Sequence, residues 1–134
     1  MLACSPTSEN HKTSANYNAQ LGLAYLKQGN TQAAKNKLLL ALQQSPDDPL
    51  ILDSMAYFFE ITGEIKLADN YYLQAIKRAP KSGAAQNNYG VFLCRHKRYQ
   101  ESLNHFSLAV KDNNYLNTAQ AYENAKLCQG DLTP

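Results

Sequence analysis

The sequence predicts an all-α fold: a solenoid of three full helix-turn-helix repeats and one terminal helix. Three observations predict it. The first is a repeat: Ala-Leu-Gln-Gln-Ser-Pro ends at Pro46 and Ala-Ile-Lys-Arg-Ala-Pro ends at Pro80, 34 residues later. The second is that the same shift aligns residues of matched size. Gly22, Ala56 and Gly90 share a column, as do Ala34, Ala68 and Ser102, and Ala41, Ala75 and Ala109. Large residues fill two further columns, Tyr25/Phe59/Leu93 and Leu38/Tyr72/Phe106. The third is composition: Ala, Leu, Gln, Asn and Lys dominate, with six Gly, five Pro and few β-branched residues, a helix-forming mixture. A repeat at this period marks stacked supersecondary units, each too small to bury its apolar face alone.

The elements follow in order. Residues 1–14 are mostly polar around Ser5-Pro6-Thr7-Ser8 and read as a flexible tether. Residues 15–130 form the repeat domain, with units 15–48, 49–82 and 83–116 and a partial unit 117–130. Helices are expected over 16–28, 31–44, 49–62, 65–79, 83–96, 99–111 and 118–129. Gly29 and Gly63 end first helices as capping glycines do. The third unit has Lys97 at that position and must turn without glycine. Pro46 and Pro80 stop second helices, and Asp48-Pro49 reads as an N-cap followed by proline at the first helical position. Ser82 is the expected N-cap of the third unit. The loop 112–117 is longer than its counterparts, leaving the register of the last helix open. Tyr122, Ala125 and Leu127 are expected to cover the last apolar face.

Charge excludes some functions. Thirteen Lys and Arg against eleven Asp and Glu give a net charge of +2, without the basic stripe that nucleic-acid binding needs. No apolar run is long enough to span a bilayer.

The three cysteines carry more. Cys4 follows Leu2-Ala3, and Leu-Ala-Cys resembles the end of a bacterial lipobox, where a signal peptide is cut and the cysteine lipidated. An incidental cysteine near a disordered terminus is the competing reading. Cys94 and Cys128 lie one period apart, at equivalent points on successive first helices. Axes ~9 Å apart leave such cysteines within disulfide reach. The residues alone also permit two buried free thiols.

The period and columns resemble the tetratricopeptide repeat, giving a tetratricopeptide-repeat solenoid. A narrower likeness lies in Asn87-Asn88-Tyr89-Gly90-Val91-Phe92-Leu93-Cys94, Lys97-Arg98-Tyr99, Ala121-Tyr122-Glu123-Asn124-Ala125 and Leu127-Cys128, with Lys66-Leu67-Ala68-Asp69-Asn70-Tyr71-Tyr72. These runs resemble the type IV pilus biogenesis/stability lipoproteins, the pilus pilotins. The resemblance implies a lipoprotein on the periplasmic face of the outer membrane of a Gram-negative bacterium. Its implied role is to bind secretin subunits and promote their localisation and assembly. It maps the lipidated cysteine to Cys4, with Ser5 suiting outer-membrane sorting, and the family's cysteine pair to Cys94 and Cys128. Family members usually carry more repeats. Either the last helix is the cap or the stack continues beyond Pro134, and Lys126, where a small residue is expected, favours the cap.

In such arrays first helices line a concave groove. The columns assign it Asn16, Ala19, Leu23 and Leu26, then Asp53, Tyr57, Glu60 and Ile61, then Asn87, Val91 and Arg95. Apolar anchors mixed with amides suit an extended or helical peptide. Ala19 and Leu23 occupy positions where carboxylate-gripping relatives carry polar residues, which disfavours that grip. The alternative function is a generic peptide-binding tetratricopeptide adaptor of the cytosol or periplasm.

No enzyme, cofactor or small-molecule substrate is expected. His11, His96 and His105 lack metal-ligand spacing and are expected to face solvent, and there is no Cys-x₂-Cys. No phosphate-binding glycine loop or Gly-x-Ser-x-Gly elbow occurs. A catalytic Cys94 is a remaining rival, but Arg95 and His96 point ~100° away along a helix.

Overall fold

The computed structural model describes residues 8–130. Cys4 and the first half of the expected tether, residues 1–7, therefore lie outside the described residues. Within them the chain is all-helical: α1 (Ser8–Lys27), α2 (Thr31–Gln44), α3 (Pro49–Ile61), α4 (Ile65–Arg78), α5 (Gly83–Arg95), α6 (Tyr99–Ala109) and α7 (Thr118–Gly130). Every boundary but one falls within two residues of its expected place. The chain falls into two compact units, up to Tyr71 and from Tyr72 onward.

The exception is the start of α1. Residues 8–14, expected in the tether, are helical. They carry no apolar stripe, so a polar network holds them instead. Gln44 Nε2 donates to Ser14 Oγ at 3.0 Å, and buried Asn18 donates from Nδ2 to Gln44 Oε1 at 2.9 Å. The end of α2 is thereby tied across the early turns of α1.

The repeat turns share one backbone design. Gly29 and Gly63 adopt φ of 79° and 88°, and Lys97 adopts φ of 64°. After each, an N–H returns five residues: Asn30 to Tyr25 O, Glu64 to Phe59 O and Arg98 to Leu93 O, at 2.8–2.9 Å. This is a Schellman closure, which uses carbonyls a helix end leaves without partners. The third unit keeps the same turn with a lysine in the left-handed region. N-caps follow the sequence: Asp48 accepts from Leu50 N at 2.9 Å, with Pro49 at the first helical position, and Ser82 accepts from Ala85 N at 3.2 Å.

Helix pairs close on the glycines. A Cβ built on Gly22 of α1 would lie 2.7 Å from Leu38 Cγ and 3.2 Å from the Ala34 carbonyl oxygen of α2. One on Gly90 of α5 would lie 2.7 Å from Phe106 Cε1 of α6. Leu38 and Phe106 share a sequence column, so the two pairs are built alike. In the first unit Ala15, Leu38, Ile51, Met55 and Phe58 form the core, with Phe59 stacked on Tyr71 at 5.5 Å. In the second, Tyr72, Tyr89 and Phe92 cluster with centroids 4.9–6.0 Å apart, spacings that favour aromatic contact.

The terminal helix differs from expectation. Ala121 and Cys128 are its buried residues, whereas Tyr122 and Leu127 are 58% and 71% exposed. Ala121 and Cys128 are seven residues apart, two turns along one face. Half-buried Ala125 and the edge of Tyr122 border a cavity with Leu103, Phe106 and Val110 of the preceding segment, whereas Leu127 lies on the far side of the helix.

Candidate functional site

The first helices α1 and α3 carry the expected groove residues of the first unit. Leu23 is half-buried, Tyr57 is 40% exposed and Ile61 is 54% exposed. Leu23 and Tyr57 are equivalent positions, and Ile61 lies one turn beyond Tyr57. Glu60 is half-buried beside them, and exposed Lys27 is the positional equivalent of Ile61. Lys27 belongs with this surface although it was not among the expected residues; the 34-residue shift from Ile61 was the available signal. The result is an apolar strip with charges along one border, suited to an amphipathic peptide. Asn16 is half-buried, and its inaccessible Oδ1 has no hydrogen-bond partner among the described residues.

Four of the expected groove residues are buried rather than open. Ala19 and Leu26 belong to the core of the first unit. Asp53 and Asn87 are likewise buried, at 8% and 7% exposure. The reason lies in the columns. Ala19, Asp53 and Asn87 share one, and Asn87 Oδ1 accepts from Asn124 Nδ2 of the neighbouring first-type helix α7 at 3.2 Å. Leu26, Glu60 and Cys94 share another, and Cys94 is bonded to Cys128 of α7. On α5, Asn87 and Cys94 therefore face the neighbouring first-type helix α7, not a ligand. Of the three residues expected from α5, half-buried Val91 and exposed Arg95 remain on an open face.

The second unit holds its polar groups inside a scaffold. The Cys94–Cys128 disulfide has Cα atoms 5.8 Å apart. Cys128 is fully buried, and the Ser102 hydroxyl lies 3.4 Å from its sulfur while donating to Gly90 O at 2.6 Å. A bonded Cys94 has no thiolate to act as a nucleophile. Two of the three histidines do not simply face solvent. His96 packs on the Phe92 ring at 4.7 Å. His105 is half-buried, with its ring edge-on to Tyr89 at 4.7 Å and Nδ1 2.6 Å from Gln86 Oε1. Gln86 Nε2 donates to Pro80 O at 2.7 Å, which turns its carbonyl oxygen toward the ring. His105 Nδ1 is then the donor, and the neutral tautomer is set. Burial lowers the His105 pKa from its ordinary value, opposed by the charge of Glu101.

The loop after α6 folds back on the start of α5. Asp112 Oδ2 accepts from Gly83 N at 2.7 Å, and its Oδ1 accepts from Asn114 N at 3.0 Å. The Gly83 bond, then the Asn114 bond, lower the Asp112 pKa below its ordinary value. Tyr115 lies against Gly83 so closely that a Cβ there would be 2.5 Å from its ring, and burial raises the Tyr115 pKa. Among the described residues, no three His, Cys, Asp or Glu side chains converge to hold a metal. No described helix is long and apolar enough to cross a membrane.

Residues 62–117 match the tetratricopeptide repeat family. An uncharacterized protein of Haemophilus influenzae is 36% identical over 92% of this chain and 69% of its own length. The type IV pilus assembly protein PilF of Pseudomonas aeruginosa is 37% identical over 81% of this chain and 43% of its own length. The solved structure of that PilF superposes with a TM-score of 0.83 and 33% identity, covering 91% of this chain and 55% of that one. PilW, described as a widely conserved type IV pilus biogenesis factor, gives 0.80 and 28%, covering 88% and 54%. The chain thus spans about half the length of the pilus proteins it matches. The matched turns, glycine crossings and homology make this chain a member of the tetratricopeptide repeat family, related to the type IV pilus proteins PilF and PilW.

Proposed function

We propose that this protein is a non-enzymatic scaffold of type IV pilus biogenesis that binds secretin subunits and promotes their assembly at the outer membrane. The observation that carries the proposal is homology to PilF and PilW across most of the chain. Tetratricopeptide folds are generally protein-interaction scaffolds that bind peptide partners. The open strip of Leu23, Tyr57 and Ile61 supplies the apolar anchors for a secretin segment. Acyl chains on Cys4, which follows Leu2-Ala3 in lipobox order, would hold the scaffold on the periplasmic face. Confinement there raises the local concentration of captured subunits.

The test compares secretin in strains lacking and carrying the gene. Loss of the protein should leave secretin subunits mostly as monomers. The parent chain should restore multimers, while Leu23→Asp and Tyr57→Asp should restore few and should pull down less secretin. Undisturbed multimers in the deletion strain would sink the proposal. Lipidation is read separately: Cys4→Ala should release the protein from the membrane fraction.

A further inference from the structure

The outward face of α7 has an internal symmetry. Ala119, Tyr122, Glu123, Lys126, Leu127 and Gly130 are all exposed. At 100° per residue they occupy one arc, centred opposite buried Ala121 and Cys128. Ala119, Glu123, Lys126 and Gly130 form its central line, at the spacing of a helix-pair seam. Tyr122 borders the line on one side and Leu127 on the other. The order along the helix is small, acidic, basic, small, and it reads as its own complement when reversed.

We infer that this face docks a second copy of the same chain, through an antiparallel α7–α7 pair about a two-fold axis. With that axis between residues 124 and 125, Glu123 of each copy meets Lys126 of the other. Ala119 meets Gly130 at both ends, and the absence of large side chains there lets the two backbones approach. Among the described residues, a Cβ on Gly130 would meet nothing within 4 Å. The two Tyr122 rings flank one side of the seam and the two Leu127 side chains the other. Such a contact is isologous and closes on itself, giving a dimer and no longer polymer.

The charges select this arrangement over its parallel alternative. Within one copy, Lys126 Nζ already lies 3.9 Å from Glu123 Oε1, with both side chains well exposed. Doubling the pair about the axis gives four charges of alternating sign, each between two of the opposite sign. A parallel pairing in register would place Glu123 on Glu123 and Lys126 on Lys126, which is repulsive. Exposed ion pairs contribute little individually, and one helix pair buries less than the ~800 Å² per partner of a standard interface. The dimer is therefore weak and concentration-dependent. This inference is independent of the secretin reading.

The test is charge exchange on the full chain, with mass followed by sedimentation equilibrium from about 10 μM to about 1 mM, the range of weak association. The parent should move from monomer toward dimer as concentration rises. Glu123→Lys alone and Lys126→Glu alone should each self-associate at least about tenfold more weakly, because each makes the seam single-signed. An equimolar mixture of those two variants should form a heterodimer. The double exchange Glu123→Lys with Lys126→Glu should dimerise like the parent, which also shows that these positions tolerate substitution. A parent that stays monomeric throughout, single variants that dimerise undiminished, or a mixture that does not associate would each overturn the assignment.

Discussion

Ser102 on α6 donates its hydroxyl to the Gly90 carbonyl of α5 at 2.6 Å, directly beside the place where the Phe106 ring meets the glycine. A small donor and a residue without a side chain together set how closely the two helices approach. Gly90→Ala should push a methyl into the buried Phe106 ring, 2.7 Å away, and cost about 1–3 kcal/mol as overpacking does. Ser102→Ala should cost about 1 kcal/mol through the lost buried hydrogen bond. Urea unfolding of both variants measures the pair, and Ser102→Ala costing more than Gly90→Ala would contradict the steric argument.

The third turn is the one with built-in strain. Lys97 holds a left-handed φ of 64° where the other two turns use glycine. Lys97→Gly should raise stability by about 1 kcal/mol, and Gly63→Ala should lower it by a similar amount. Thermal melts of the two variants should move in opposite directions.

Reduction should loosen the terminal helix. The Cys94–Cys128 bond closes a separation of 34 residues, for which chain entropy alone gives about 3–4 kcal/mol. Hydrogen exchange of α7 amides should rise sharply in reductant, while α1 and α2 amides stay protected. Equal protection of α7 with and without reductant would contradict this.

Two groups give the second unit a pH response. Asp112 has a lowered folded pKa, held by the Gly83 and Asn114 N–H groups. Its contribution is present above the ordinary carboxylate pKa and is lost as pH falls through the folded value. His105 has a folded pKa lowered by burial, so protonation favours the unfolded chain. Its contribution is complete above the ordinary histidine pKa of about 6.5 and declines as pH falls below that toward the folded value. Asp112→Asn should flatten the stability profile below pH ~4, and His105→Gln should flatten it below about pH 6.5. Chemical denaturation across pH checks both; coincident profiles for parent and variant would remove that group from the account.

The fold was legible wherever the period carried backbone information. Gly29, Gly63, Asp48-Pro49 and Ser82 mark turns and caps by conformational preference, which sequence displays directly. The start of α1 was not legible, because Ser14, Asn18 and Gln44 hold it with amides and hydroxyls and leave no apolar rhythm. The groove was half legible. Leu23, Tyr57 and Ile61 are open, but Leu26 was assigned outward although its column also holds Cys94, whose facing of Cys128 marks that column as helix-to-helix. His105 gave a similar signal: it sits one period after Tyr71, a partly buried residue. A list of side-chain types cannot separate a helix face that meets a neighbour from one that meets solvent. Column membership can, once one pair in the column is known to touch.

The Asn87–Asn124 hydrogen bond and the Cys94–Cys128 disulfide fasten α7 to α5 at two points about 10 Å apart on α5. One attachment would act as a pivot. Two act as a clamp, removing both roll and swing, so the azimuth of the last helix is locked without a bulky apolar cover. The end of the described chain can thus stay thinly packed and still hold a stiff, reproducible outline.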